Sequence, residues 1–108
     1  MDDILKKYNK SGISRNEEAS FPEFQDHLSA IHWLNKKYGA EKFVMTDIID
    51  DNFGKVYCYD YILDKETYTK GKDLLLRNKI MSGKESMKYM LSSQRIEISE
   101  NGDIHIIH

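Results

Sequence analysis

At 108 residues the chain has room for one hydrophobic core, which excludes two independent domains. Leu, Ile, Val and Phe supply 26 of those residues, above the roughly 20% typical of disordered chains, so a folded domain with a modest core is expected. A formal net charge of −2 excludes both a polybasic nucleic-acid binder and an acidic solvating tail, and any function based on charge has to be local.

The single cysteine, Cys58, cannot form an internal disulfide, and a reducing, cytoplasmic compartment is the natural expectation. Unbroken apolar runs are short, as in Leu74-Leu75-Leu76, far below the ~18 of a membrane span. The start of the chain lacks the basic and apolar pattern of a signal peptide, so no membrane partner is expected.

Residues 1–20 carry eight charged side chains and six apolar ones around Ser11-Gly12. They read as a flexible arm over 1–19, with a frayed helical turn near 2–8, ahead of a single domain over 20–108. A helix is predicted over 21–38, started by a Ser20/Glu23 capping box with Pro22 in its first turn and closed by Gly39. Phe24, Leu28, Ile31, Leu34 and Tyr38 form its apolar stripe at ~100° per residue.

Residues 43–49 and 56–63, rich in β-branched and aromatic types and joined by turn formers at 50–54, predict an antiparallel hairpin. Apolar residues on both faces of both strands suggest a central place in the sheet. Asp64 caps a helix over 65–79, interrupted in propensity by Gly71, and Ser82-Gly83-Lys84-Glu85 is a capping box for a shorter helix with Met87, Met90 and Leu91.

Residues 95–99 and 103–108 form a second hairpin. A three-residue loop with Gly102 as a left-handed bulge pairs Ile98 with Ile104 and Ile96 with Ile106, gathering four isoleucines on one face. Glu97 then lies across from His105. The predicted fold is α+β: a four-stranded antiparallel sheet from two hairpins with helices packed on one face, in the order α-β-β-α-α-β-β.

Catalytic and metal patterns are missing. His27 and His32 lie roughly 140° apart around a helix, and His105 and His108 point to opposite strand faces. Ser82-Gly83-Lys84-Glu85 departs from a phosphate loop, there is no G-x-S-x-G elbow, and Cys58 sits in mid-strand as a small buried residue. No catalytic residue, metal or cofactor is assigned. Asp60 shares strand parity with Val56, Cys58 and Ile62, so it needs a structural hydrogen bond or a bulge that turns it outward.

Tyr57, Tyr59 and Tyr61 line one strand face. They join Arg95, Glu97 and His105 on an open side if helices cover the isoleucines; the alternative is that the stripe is itself the helix-packed core face. Trp33 lies about 180° from the helix stripe, as an exposed hot spot or beneath a covering segment. Charge is uneven, with net −4 over 40–64, +5 over 65–95 and −3 over 96–108.

These features lead to the expectation of a small non-catalytic cytoplasmic protein that binds a partner protein, of inhibitor, immunity or adaptor type. Its expected contact residues are Trp33, Tyr57, Tyr59, Tyr61, Glu97 and His105. Nucleic-acid binding through the basic block 65–95, with Lys65, Lys70, Lys72, Arg77, Lys79, Lys84 and Lys88, is the alternative. A small-molecule enzyme around Asp60 and His105 is third. Thirteen Lys against three Arg, with three Ala and one Pro, associates with an AT-rich bacterial or phage gene.

Overall fold

The computed structural model describes residues 12–78 and 80–108. Its sheet runs β1 (Phe43–Asp51), β2 (Gly54–Ile62), β3 (Ser93–Ser99) and β4 (Ile104–Ile106), each antiparallel to its neighbour. Short helix α1 (Arg15–Ala19) and helix α2 (His27–Tyr38) precede β1, while α3 (Lys65–Leu76) and α4 (Gly83–Met90) connect β2 to β3. The α+β architecture and the α-β-β-α-α-β-β order agree with the pattern in the sequence. The strands differ in one respect: β2 is central, whereas β1 is an edge and is exposed from Met45 to Asp51.

The second hairpin has the expected register, with Ile98 opposite Ile104, Ile96 opposite Ile106 and Glu97 opposite His105. Gly102 adopts φ +91°, and a Cβ there would also lie 2.7 Å from the Phe24 carbonyl oxygen, so both backbone and space demand glycine. Ile96, Ile98 and Ile106 are buried in the main core with Ile13, Ala30, Ile31, Leu34, Tyr59 and Tyr61.

Helix α2 starts six residues later than the capping-box pattern predicts. Asp26, not Ser20, is its N-cap, accepting from Ser29 N–H at 2.8 Å. The buried face is His27, Ala30, Ile31 and Leu34, and Leu28, a member of the predicted stripe, is 64% exposed outside it. Residues 21–24 instead lay Phe21 and Phe24 against Trp33, with ring centroids at 4.9 and 5.6 Å.

The described part of the N-terminal segment is docked rather than a free arm. Ile13 is 1% exposed, and Gln94 brackets it: Ile13 N–H donates to Gln94 Oε1 at 2.8 Å and Gln94 Nε2 donates to the Ile13 carbonyl at 3.0 Å. A Ser14/Glu17 capping box then starts α1. The sequence understates this segment because one apolar residue and a few long-range hydrogen bonds, from Gln94 to Ile13 and from Glu17 and Glu18 to distant residues, hold it. The turn expected near 2–8 lies outside the described residues.

Helices α3 and α4 pack on each other, apart from that core. Tyr68 is 5% exposed and stacks with Tyr89 at 5.8 Å. Helix α3 continues through Gly71 and ends at Leu76, short of the predicted 79. The glycine is a packing residue, since a Cβ there would fall 2.1 Å from Tyr89 Cδ1.

Gly71→Ala therefore destabilises the protein by about 1–3 kcal/mol in urea unfolding, the overpacking cost outweighing the ~1 kcal/mol helix-propensity gain of alanine. Gln94→Ala lowers stability by about 1–2 kcal/mol and accelerates tryptic cleavage at Arg15, because the bracket around Ile13 is lost.

Candidate functional site

The register of β2 separates the residues expected to form one binding surface. Tyr57, Tyr59 and Tyr61 stand opposite Ile98, Ile96 and Gln94, on the face packed by α2, while Cys58 and Asp60 stand opposite Glu97 and Arg95 on the reverse face. Tyr59 and Tyr61 are 6% and 1% exposed. The three tyrosines are thus corrected from an open stripe to the helix-packed face, and Glu97 and His105 remain on the other side of the sheet without them.

Tyr57 and Tyr59 serve α2. The His27 ring stacks on Tyr57 at a centroid distance of 3.6 Å, and its Nε2 lies 2.5 Å from the Tyr59 hydroxyl. Burial lowers the His27 pKa below the ordinary 6.5, with Asp26 pulling the other way. Burial also raises the Tyr59 hydroxyl, with Tyr57 beside it adding to the shift. Trp33 is half-buried under Phe21 and Phe24 with Lys37 Nζ 5.0 Å from its ring, so it is covered by residues 21–24 rather than exposed on a polar face.

Asp60 is half-buried and accepts from the Tyr68 hydroxyl at 2.7 Å, the structural hydrogen bond that its strand parity calls for. The sheet's bulge lies instead in β1, between Met45 and Asp47. Cys58 is fully buried on the reverse face beneath Arg95, whose Nη2 lies 3.2 Å from Sγ while its Nε pairs with Glu97 at 3.0 Å. Burial of the Arg95 guanidinium opposes its charge, but Cys58 and Glu97 outweigh this and raise its pKa. His105 lies across β3 from β2, with the Arg95–Glu97 pair between it and Asp60, so the structure does not join Asp60 and His105 in one acid–base centre.

The reverse face ends in an open groove of about 520 Å³ where α4 leans over it. Leu63, Met90, Leu91 and Ile107 supply its apolar lining, and Asp60, Arg95 and His108 its charges. His108 Nε2 is held 2.8 Å from Glu18 Oε1, and Glu18 Oε2 accepts from Ile106 N–H at 3.1 Å. Burial alone would raise the Glu18 pKa, but these two hydrogen bonds and the nearby histidines hold it below the ordinary value. Among the described residues no three His, Cys, Asp or Glu side chains converge on a metal position, and no helix is long and apolar enough to cross a membrane.

The groove shares Met90 and Leu91 with a segment that holds several exposed large apolar side chains. Leu75, Leu76 and Ile80 are 49%, 82% and 98% exposed, and Met87, Met90 and Leu91 are 65%, 72% and 71% exposed. Helix α4 buries no residue. Its inner side carries Tyr89 toward α3, and Met87, Met90 and Leu91 form a second stripe at i, i+3 and i+4 that faces solvent. Gly71 was the available signal that a ring, rather than the aliphatic stripe, fills the α3–α4 seam.

No family model, curated protein or solved structure matches the chain.

The His27 geometry gives a pH dependence. A folded-state pKa below 6.5 means the unfolded chain binds the proton first, so stability is full near pH 7.5 and falls as pH drops through 6.5. Urea midpoints measured from pH 7.5 to 5.5 decline for the wild type, and His27→Gln flattens that slope whatever its effect on absolute stability.

Proposed function

We propose that the protein is a non-catalytic binding module that docks a partner protein on the outer stripe of α4 and in the groove at its foot. The supporting observation is the exposure of Leu76, Ile80, Met87, Met90 and Leu91 around one short helical pair. Met87, Met90 and Leu91 share one exposed helix face, and exposed apolar surface marks interaction sites, while unbranched methionines adapt to a partner's shape.

Lys70, Lys72, Arg77, Lys84 and Lys88 lie in the same segment, 65–95, whose net charge is +5. The surface therefore suits a partner with apolar anchors and an acidic border. The same cations support nucleic-acid binding as a second reading. However, Tyr68 is buried and Tyr89 half-buried, so they offer bases no exposed stacking platform here, and the apolar stripe has no role in phosphate contact. A cytoplasmic inhibitor, immunity or adaptor protein fits a module of this size.

Met87→Asp combined with Leu91→Asp tests the proposal. Both positions are more than 60% exposed, so stability changes by no more than about 0.5 kcal/mol. Affinity capture from the native host, with wild-type and variant baits side by side, is expected to show partner retention falling at least tenfold. Unchanged retention overturns the α4 surface. Nuclease-sensitive retention, abolished by moderate salt, supports the nucleic-acid reading instead.

A further inference from the structure

The two edges of the sheet are finished differently. Strand β4 spans three residues, and its Ile106 N–H is closed by the Glu18 carboxylate. Strand β1 spans nine residues and, among the described residues, has no neighbouring strand on its outer side. Met45, Ile48 and Ile49 on it are 45%, 48% and 38% exposed. A long, open edge with apolar side chains presents backbone donors and acceptors that a further strand can use.

The side chains of β1 specify what that strand carries. Beyond the bulge, Asp47, Ile49 and Asp51 pair with Cys58, Val56 and Gly54, so all three lie on the reverse face, while Ile48 and Asp50 lie on the other. An incoming strand meets an acidic, apolar, acidic series on one face. Asp47 Oδ1 accepts from Ile48 N–H and Asp51 Oδ1 from Phe53 N–H, each at 2.8 Å, which leaves Oδ2 of each for a cation on a neighbouring strand. The self-cap on Ile48 is a hydrogen bond that an incoming carbonyl replaces.

A second copy of β1 brings three more carboxylates to the same edge, and like charges across strands oppose pairing. A strand with Lys or Arg, an apolar residue, and Lys or Arg at alternate positions is complementary to Asp47, Ile49 and Asp51. We propose that β1 is a docking edge for an extended basic and apolar segment of a partner protein, which adds as a fifth strand and is selected by these carboxylates. This edge is separate from the α4 stripe, and the two proposals stand or fall independently.

The probe is a synthetic peptide with Lys, Ile and Lys at alternate positions between threonines. It is added to the whole protein while amide hydrogen exchange is followed over residues 45–51. The Lys peptide is expected to slow exchange there. A Glu-for-Lys peptide has no effect, and neither does a fully N-methylated Lys peptide, which keeps the charge but has no backbone donors. Asp47→Asn with Asp51→Asn weakens the Lys peptide about two- to tenfold. Absence of protection, or equal effects of the Glu or N-methylated peptides, overturns the proposal. Concentration-dependent protection without peptide overturns it in favour of a second copy.

Discussion

Strand β2 is hydrogen-bonded on both sides, and the alternation of its side chains assigns a place to nearly everything else in the molecule. One parity, Tyr57, Tyr59 and Tyr61, receives α2. The other, Cys58, Asp60 and Ile62, forms the reverse face and anchors α3 through Tyr68. A slip of one residue would exchange the two sets, placing Asp60 under α2 and the tyrosines in solvent. The four-isoleucine face of the second hairpin prevents this, because Ile96 and Ile98 are paired with Tyr59 and Tyr57 and must share their burial.

Polar contacts then determine where the helical layer sits on the buried face. His27 stacks on Tyr57 and bonds to Tyr59, fixing the first turn of α2 over the middle of β2. Gln94 and Glu18 tie the preceding segment to β3 and β4, the first through Ile13 and the second through Ile106 and His108. A small domain buries limited apolar area, so specific bonds of this kind carry much of the distinction between one arrangement and its competitors.

The α3–α4 pair follows a different logic. Its seam is made by two tyrosine rings and a glycine, and the ring of Tyr89 occupies the space that an aliphatic stripe would otherwise fill. The apolar side chains of α4 are consequently surplus to folding, and they stand next to the groove that Leu63 and Ile107 line. Strand β1 shows a related surplus, since its length and apolar content exceed what an edge requires. In both places the local charge is unbalanced, net positive over 65–95 and net negative over 40–64.

The sequence by itself determined the fold class, the order of elements, the register of the second hairpin and the caps at Asp64 and Ser82. Each of these depends on neighbours a few residues apart, or on a two-residue period that one buried face makes unambiguous. The opposite placement of Tyr57, Tyr59 and Tyr61 against Glu97 and His105 was not legible, because parity relates residues within a strand, whereas the pairing of Tyr57 and Tyr59 with Ile98 and Ile96 is set by the register between β2 and β3, strands about forty residues apart. Competing caps, Ser20 and Asp26, were both compatible with local rules. The choice between them came from packing, as starting at His27 seats that ring on Tyr57 and lets Phe21 and Phe24 cover Trp33. Only the tertiary structure decided that Ile13 belongs to the core, that Gly71 makes room for Tyr89, and that the stripe of α4 faces solvent. Those outcomes arise from contacts between distant segments, and no local pattern of residues encodes which distant surface will be occupied.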